Sequence, residues 1–286
     1  MLTQSEEWKV IANGASTSIA PFDGQDQLLK NLVNSDEKFW LHKFEQCPAI
    51  STYIYNMCAG QFDVIENPDK DAVVPMRIFL RASKRDNIDD TELFRVVNEG
   101  IKFYEEYTGV KYPWQKYDQI FCPEFRIGAM ENVGAITFND GYLQPKDATT
   151  DYLRLMLHYV ALHELAHMWF GDLVTMEWWN DLWLKESFAD FMAGTNITRN
   201  PAFANYKNSD QLFLNFLLHA LSADIKKTTH PIQSVVNNTE DAVNVFDQIS
   251  YEKGASFIKQ LSNFVGEKVL TDGMNEYFTK FALKNT

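Results

Sequence analysis

At 286 residues, 45% of them hydrophobic, the chain is long enough to bury a substantial core and exceeds the usual size of one domain, which predicts two units. Its formal net charge of −13 argues against nucleic acid or an anionic membrane as a partner, because both repel an acidic surface; most of that charge serves solubility. There is no apolar run long enough to span a bilayer. The opening Met1-Leu2-Thr3-Gln4-Ser5-Glu6-Glu7 also lacks the regions of a signal peptide, so nothing directs the chain to a membrane. Cys47, Cys58 and Cys122, scattered and odd in number, predict reduced thiols and a cytoplasmic protein. The Asn-x-Thr sequons at Asn196 and Asn237 are too common a pattern to change that.

Residues 1 to about 80 read as β structure from alternation and β-branched content. Trp8 to Ala12 predicts a strand closed by the turn pair Asn13-Gly14, Phe39 to Glu45 alternates next, and a long run follows from Thr52 to Ile65. Asn67-Pro68-Asp69 marks a turn before a strand over Val73 to Leu80. None of these residues offers chemistry, since His42 lies in an aromatic strand, where a structural histidine outweighs a ligand. From Asp86 the period changes. Asp89, Asp90 and Thr91 can cap a helix whose apolar positions Leu93, Val96, Val97, Ile101, Phe103 and Tyr104 recur at helical spacing, ending near Gly109. A strand over Gln119 to Cys122 precedes Pro123, and Arg126 to Phe138 reads as one strand-like segment with glycines towards its ends. On such a strand an acidic residue can stand in a cleft, which singles out Glu131.

The chemistry concentrates in the next helix, predicted from about Asp151 to Phe170 and stopped by Gly171-Asp172. It carries His163-Glu164-Leu165-Ala166-His167. Helical positions i and i+4 lie about 40° apart on one face, so both imidazoles can address one ion. Glu186 sits in a second predicted helix, Leu182 to Thr195, and supplies a carboxylate. Two histidines and a glutamate leave the fourth tetrahedral position of zinc open to water. That is the catalytic arrangement, with one Zn2+ per chain. Glu164 lies about 100° round the helix from His163, placed to touch the water instead of the ion, and reads as the general base. A bare motif of this kind also arises by chance, as a solvated glutamate between two unrelated histidines. Here the helix is apolar (Leu153, Leu155, Leu157, Val160, Ala161, Leu165, Phe170), and two unpaired imidazoles with a carboxylate are costly to bury in it without an ion. Met176 to Asp181 bridges the two helices, its tryptophans packing as walls. Asp181 either accepts the second N–H of a zinc histidine or caps the helix from Leu182. Helices at about Pro201 to Leu221, Asp247 to Val265 and Val269 to Leu283 follow, without repeats. Read alone, Tyr251 in the second of these is a core aromatic.

Gly128-Ala129-Met130-Glu131-Asn132, the His163 to His167 motif and Glu186 together resemble the aminopeptidase N family of zinc exopeptidases, the gluzincin metallo-aminopeptidases. Trp169 to Met176 and Trp178 to Leu184 are similar to that family's zinc-helix exit and its approach to the third ligand, and Phe246 to Ala255 to its tyrosine segment. The resemblance covers nearly the whole chain and implies an α+β fold. Residues 1–80 would be the tail of an N-terminal β-sandwich domain, and 81–286 a thermolysin-like zinc catalytic domain, mainly helical with a small sheet. It implies hydrolysis of the N-terminal bond of peptides with a free N-terminus. His163, His167 and Glu186 would bind zinc, Glu164 would take a proton from the water and pass it to the leaving amine, and Tyr251 would donate its phenol to the oxyanion. Glu131 would pair with the substrate's α-ammonium, and Gly128, Ala129 and Asn132, with Met130 in the same stretch, would offer strand-edge backbone groups to the peptide.

Family members usually add a further Gln or Glu to the amine site from earlier in the N-terminal domain, and they continue into a large C-terminal helical domain. The resemblance therefore implies a partial chain, with those domains or a larger assembly as partners. Ser187 stands where the family commonly has glycine. The alternative is a truncated module that binds metal without turnover and serves a structural or binding role.

Overall fold

The computed structural model describes residues 1–31, 33, 37–206 and 210–286. The chain divides into two compact units, one of Met1–Asp90 with Trp114–Lys146, the other of Thr91–Pro113 with Asp147–Thr286. The fold is α+β, as expected, with most strands in the first unit and most helices in the second. Among the described residues no helix is long and apolar enough to cross a membrane.

The first unit holds β1 (Leu2–Thr3), β2 (Lys9–Ala12), β3 (Ser16–Pro21), the short α1 (Gln27–Lys30) and β4 (Trp40–Phe44). It continues with β5 (Met57–Gly60), β6 (Asp63–Glu66), β7 (Met76–Leu80), β8 (Tyr117–Cys122), β9 (Ala129–Met130) and β10 (Ala135–Asn139). The run expected from Thr52 to Ile65 is not continuous. It splits into a 3-10 turn, Thr52–Ile54, then β5 and β6, breaking at Gly60, which has no side chain to pack on a ladder. Among the described residues the largest sheet has the order β6-β7-β8-β10-β9. Its central pairs, β7 with β8 and β8 with β10, are parallel. Central parallel strands are covered on both faces, and Ile78, Phe79, Leu80, Ile120, Phe121, Ala135, Ile136 and Phe138 are accordingly buried. A parallel pair needs a long crossover, and the chain between β7 and β8 contains α2 (Asp90–Thr108). The sheet therefore takes strands from either side of residue 80.

The segment Arg126 to Phe138, expected as one strand, is a hairpin. β9 pairs antiparallel with β10, Met130 opposite Thr137 and Ala129 opposite Phe138. The reversal needs a left-handed residue, supplied by Gly134 at φ 64°, and is closed by Ala135 N–H donating to Asn132 O at 2.9 Å. Two buried side chains hold it. Lys116 Nζ donates to Gly134 O, to Ala12 O at 2.9 Å and to Asp118 Oδ2 at 2.8 Å. Asn13 Nδ2 donates to Val133 O at 2.9 Å and Ile54 O at 3.0 Å. Asp118 also receives a two-pronged bond from Arg77, at 2.9 and 2.7 Å. Burial pulls the Lys116 pKa down against the pull of Asp118. His42 is buried with Nε2 2.9 Å from Thr3 Oγ1, a structural histidine as its strand predicts.

The second unit comprises α2 from Thr91 onward, α3 (Asp151–His167), β11 (Val174–Thr175), α4 (Leu182–Arg199), α5 (Asp210–Asp224), α6 (Thr239–Val243), α7 (Gly254–Val265), α8 (Glu267–Phe281) and β12 (Lys284–Asn285). The helix expected over Pro201 to Leu221 opens as a 3-10 turn, Pro201–Phe203, and resumes as α5; residues 207–209 lie outside the described residues. The helix expected from Asp247 is a π-helix, Ile249–Lys253, that runs into α7. α4 is buried on nearly every side, which marks it as the central helix of this unit. α2 is fastened to α3 by Tyr104 O–H donating to Leu162 O at 2.9 Å. The Asn196 sequon lies within α4, where the side chain is 0% exposed, so it is no glycosylation acceptor in the folded chain.

Replacing Lys116 by Met strips an ammonium from buried Asp118 and frees two carbonyls. Arg77 still faces that carboxylate, so the cost is that of the carbonyls left unpaired, about 1–3 kcal/mol each. Urea unfolding of K116M should show that loss; a change under about 1 kcal/mol, the range of exposed pairs, would mean the network does not hold the hairpin.

Candidate metal centre

α3 is capped by Thr150, whose side chain accepts from Leu153 N–H at 3.2 Å, and ends at His167, short of the expected Phe170. The chain curls back instead, because His167 Nδ1–H donates to Phe170 O at 2.9 Å, and Gly171 at φ 120° carries it away. A carbonyl only accepts, so that bond fixes the His167 tautomer and leaves the Nε2 lone pair free for an ion.

His163 Nε2 lies 3.0 Å from His167 Nε2. Glu186 Oε2, from α4, is 3.4 Å from the first and 3.2 Å from the second. All three residues are buried. With zinc bonds of about 2.0–2.1 Å, neighbouring ligand atoms of a tetrahedron stand about 3.3 Å apart, and the three separations here fit that spacing. Lys185 Nζ donates to the other Glu186 oxygen, Oε1, which turns Oε2 to the imidazoles. A carboxylate and two imidazole nitrogens closing on one point repel unless a cation joins them. Without an ion a proton does so. Burial pulls the His163 pKa down, but Asp190 and Glu186 outweigh it and hold it well above the usual histidine range. Burial pushes Glu186 up, while Lys185 and the two histidines hold it well below the usual carboxylate range. The two-nitrogen, one-oxygen donor set and its spacing fit zinc.

Sequence reasoning missed Asp190. His163 Nδ1–H donates to Asp190 Oδ1 at 2.7 Å, and Tyr159 O–H donates to the same oxygen. A carboxylate behind a metal histidine fixes its tautomer and raises its basicity. The signal was spacing, since Asp190 follows Glu186 by one helical turn and shares its face. Asp181, given that role or a cap, has neither: it makes no side-chain cap bond, and Oδ1 accepts from Gln233 Nε2 at 2.7 Å. It sits at the start of α4, more than a turn before Glu186 and off the face that meets the histidines. Trp169 is buried and donates to Val110 O, whereas Trp178 of the bridge, expected to pack, is exposed and donates to Val236 O.

Glu164 is buried on α3 between the two histidines. Tyr251 lies over His163, ring centroids 5.9 Å apart and planes 13° from parallel. It sits in the π-helix, where Lys253 N–H reaches back to Gln248 O at 2.9 Å, a widened turn often found at functional sites. Ser187 Oγ–H donates to Ser250 O at 2.6 Å, so the residue after Glu186 is bonded to the residue before Tyr251. The approach requires glycine next door, since a Cβ on Gly254 would fall 1.8 Å from Ser187 Oγ.

Gly128 to Asn132 belong to the first unit. Ala129 and Met130 form β9, at the edge of its sheet. Gly128 O accepts from Asn139 N–H at 2.8 Å, and Asn132 Oδ1 from Thr137 Oγ1–H at 3.1 Å. Glu131 is 3% exposed at the mouth of the hairpin turn.

Residues 93–286 match the family model described as the Peptidase family M1 domain. The chain belongs to peptidase family M1. It is similar to an aminopeptidase N of Streptomyces lividans, 38% identical over 262 residues that cover 91% of this chain and 30% of that protein. A leucyl aminopeptidase of Saccharolobus solfataricus is 36% identical over 245 residues, 86% of this chain and 30% of its own length. A tricorn protease-interacting factor F2 of Thermoplasma volcanium is 38% identical over 264 residues, 90% and 32% respectively. The chain thus spans about a third of the length of these M1 relatives.

If Asp190 orients His163, D190A should weaken zinc binding about 10- to 100-fold, read by competition with a chromophoric chelator. Unchanged affinity in a folded variant would contradict that role.

Proposed function

We propose that the chain carries the catalytic part of a zinc-dependent aminopeptidase, which hydrolyses the N-terminal bond of peptides with a free N-terminus. The observation that carries the reading is the convergence of His163, His167 and Glu186 at separations suited to zinc. In this proposal residues 81–286 are the catalytic domain and 1–80 the tail of an N-terminal β domain. One zinc ion per chain is held by those three residues and, when bound, supplies a Lewis acid for the water and the scissile carbonyl. Glu164 takes a proton from the attacking water on its carboxylate and returns it to the leaving amine. The Tyr251 phenol donates to the oxyanion that develops on the peptide, a contact worth roughly 3 kcal/mol of barrier in comparable sites. Its stacking on His163 supports that role.

Glu131 binds the substrate's α-ammonium, whose reference pKa near 8 leaves it mostly charged at neutral pH. That contact distinguishes an exopeptidase from an endopeptidase. Gly128, Ala129, Met130 and Asn132 offer edge-strand backbone groups to the peptide, a role the position of β9 supports. The cytoplasm is the proposed location, supported by three free cysteines. Further domains or a larger assembly are proposed partners, and one relative's name describes an interaction with tricorn protease.

Purified chain should bind zinc and release the reporter from an aminoacyl substrate; zinc bound without turnover would favour the inactive module. E164Q should keep the metal and lose about 10²-fold or more in kcat; retained turnover would assign the proton transfer to another group. E131A should raise KM for free-amine substrates and abolish their preference over N-acetylated ones. An unchanged preference would remove Glu131 from the amine site.

A further inference from the structure

The turn that carries Tyr251 is held at its N-terminal end by Asp247. Asp247 O accepts from Tyr251 N–H at 3.1 Å, and Asp247 Oδ1 accepts from Ile249 N–H at 2.9 Å and from Ser250 N–H at 3.4 Å. These are the bonds by which a capping residue satisfies amides that the first turn of a helix leaves without a partner. The other carboxylate oxygen, Oδ2, accepts from His230 Nε2–H at 3.2 Å. His230 comes from the chain between α5 and α6 and is itself fixed. Its Nδ1–H donates to Pro231 O at 2.7 Å, and Ser234 Oγ stands 2.8 Å from Nδ1 while donating to Pro231 O at 2.9 Å. Gln233 on Asp181 and Trp178 on Val236 O anchor that stretch to the bridge before α4. The His230 and Asp247 side chains are 20% and 31% exposed, so their bond is partly shielded from water. Two further ion pairs reach the turn, His219 with Glu252 and Lys253 with Asp224, but both end on side chains, whereas Asp247 holds the backbone itself.

We propose that His230 is a positioning residue for Tyr251, acting through Asp247. The inference rests on Tyr251 being the oxyanion donor proposed above. The carboxylate of Asp247 turns about a soft terminal torsion, and that rotation decides whether Oδ1 stays beneath the amides of Ile249 and Ser250. His230 on Oδ2 stops the rotation. Ser250 is thereby gripped on both sides, its N–H by Asp247 and its O by Ser187, and the phenol that follows takes its direction from a residue so fixed. A donor that acts on charge present only in the transition state depends on its aim, and a misplacement on the order of 1 Å costs about 100-fold in rate. Binding of the ground state does not draw on that contact, so His230 contributes to kcat and not to KM.

The test compares H230A, Y251F and the double variant in the full chain, each loaded with zinc. H230A should lose about 10- to 100-fold in kcat, with KM within about 2-fold of wild type and zinc affinity unchanged. In the Y251F background the same change should cost nothing further, because the phenol through which it acts is already gone. H230Q, whose amide can still donate to Asp247, should recover part of the loss. Hydrogen exchange read by mass spectrometry is independent of turnover: peptides covering 247–253 should exchange about 3-fold or more faster in H230A, with those of α3 unchanged. If the wild-type chain has no turnover, the peptidase reading fails, and the exchange still decides whether His230 holds the turn. Unchanged exchange over 247–253 would overturn the proposal. So would, in an active chain, a loss that adds in full to that of Y251F or that comes with weakened zinc binding.

Discussion

Two imidazole nitrogens and a carboxylate oxygen, each within 3.4 Å of the others and closed off from water, are the constraint on which the second unit of this chain depends. Such groups meet in a protein interior only if something positive stands between them, and everything round them serves to keep the lone pairs aimed inward. Phe170 O and Asp190 take the outer N–H of each histidine, and Lys185 takes the outer oxygen of Glu186. Each ligand is thereby fixed from behind by a group that has no other orientation to offer it. The early end of α3 belongs to the same logic, since a helix continued to Phe170 would turn that carbonyl into its own ladder and release His167.

A second mechanical link ties this centre to Tyr251. Ser187 follows Glu186 directly and is bonded to the carbonyl that precedes Tyr251, and the absent Cβ of Gly254 lets the two segments touch. The widened π turn sets the phenol ring beside His163 in place of the ordinary helical position. The helix that carries Glu186 and the tyrosine segment are therefore bonded directly, an attachment that suits the oxyanion donor proposed for Tyr251.

Much of this was legible in the sequence because it is local. The spacing of His163, His167 and Glu186, the capped helix from Asp90 and the strands over Lys9–Ala12 and Trp40–Phe44 follow from period and end signals that neighbouring residues carry. What escaped was decided by partners distant along the chain. The hairpin at Arg126 to Phe138 turns because Lys116 and Asn13 hold its carbonyls, and Gly134 alone hinted at the turn. Sequence reasoning offers Asp181 a role that Asp190 fills, because only the rotation of α4 against α3 decides which carboxylate meets His163. The π turn has no period of its own to read, and its Ser250 carbonyl accepts from a residue distant along the chain.

The account stands on a single ion joining those three residues, and calorimetric titration of metal-free chain with zinc tests it most directly. It should show one saturable site per chain, with proton release as the metal displaces the proton that His163 otherwise retains. The same titration of a folded variant lacking both histidines should show no site. Absence of saturable binding in the wild-type chain, or equal binding after both histidines are replaced, would contradict it.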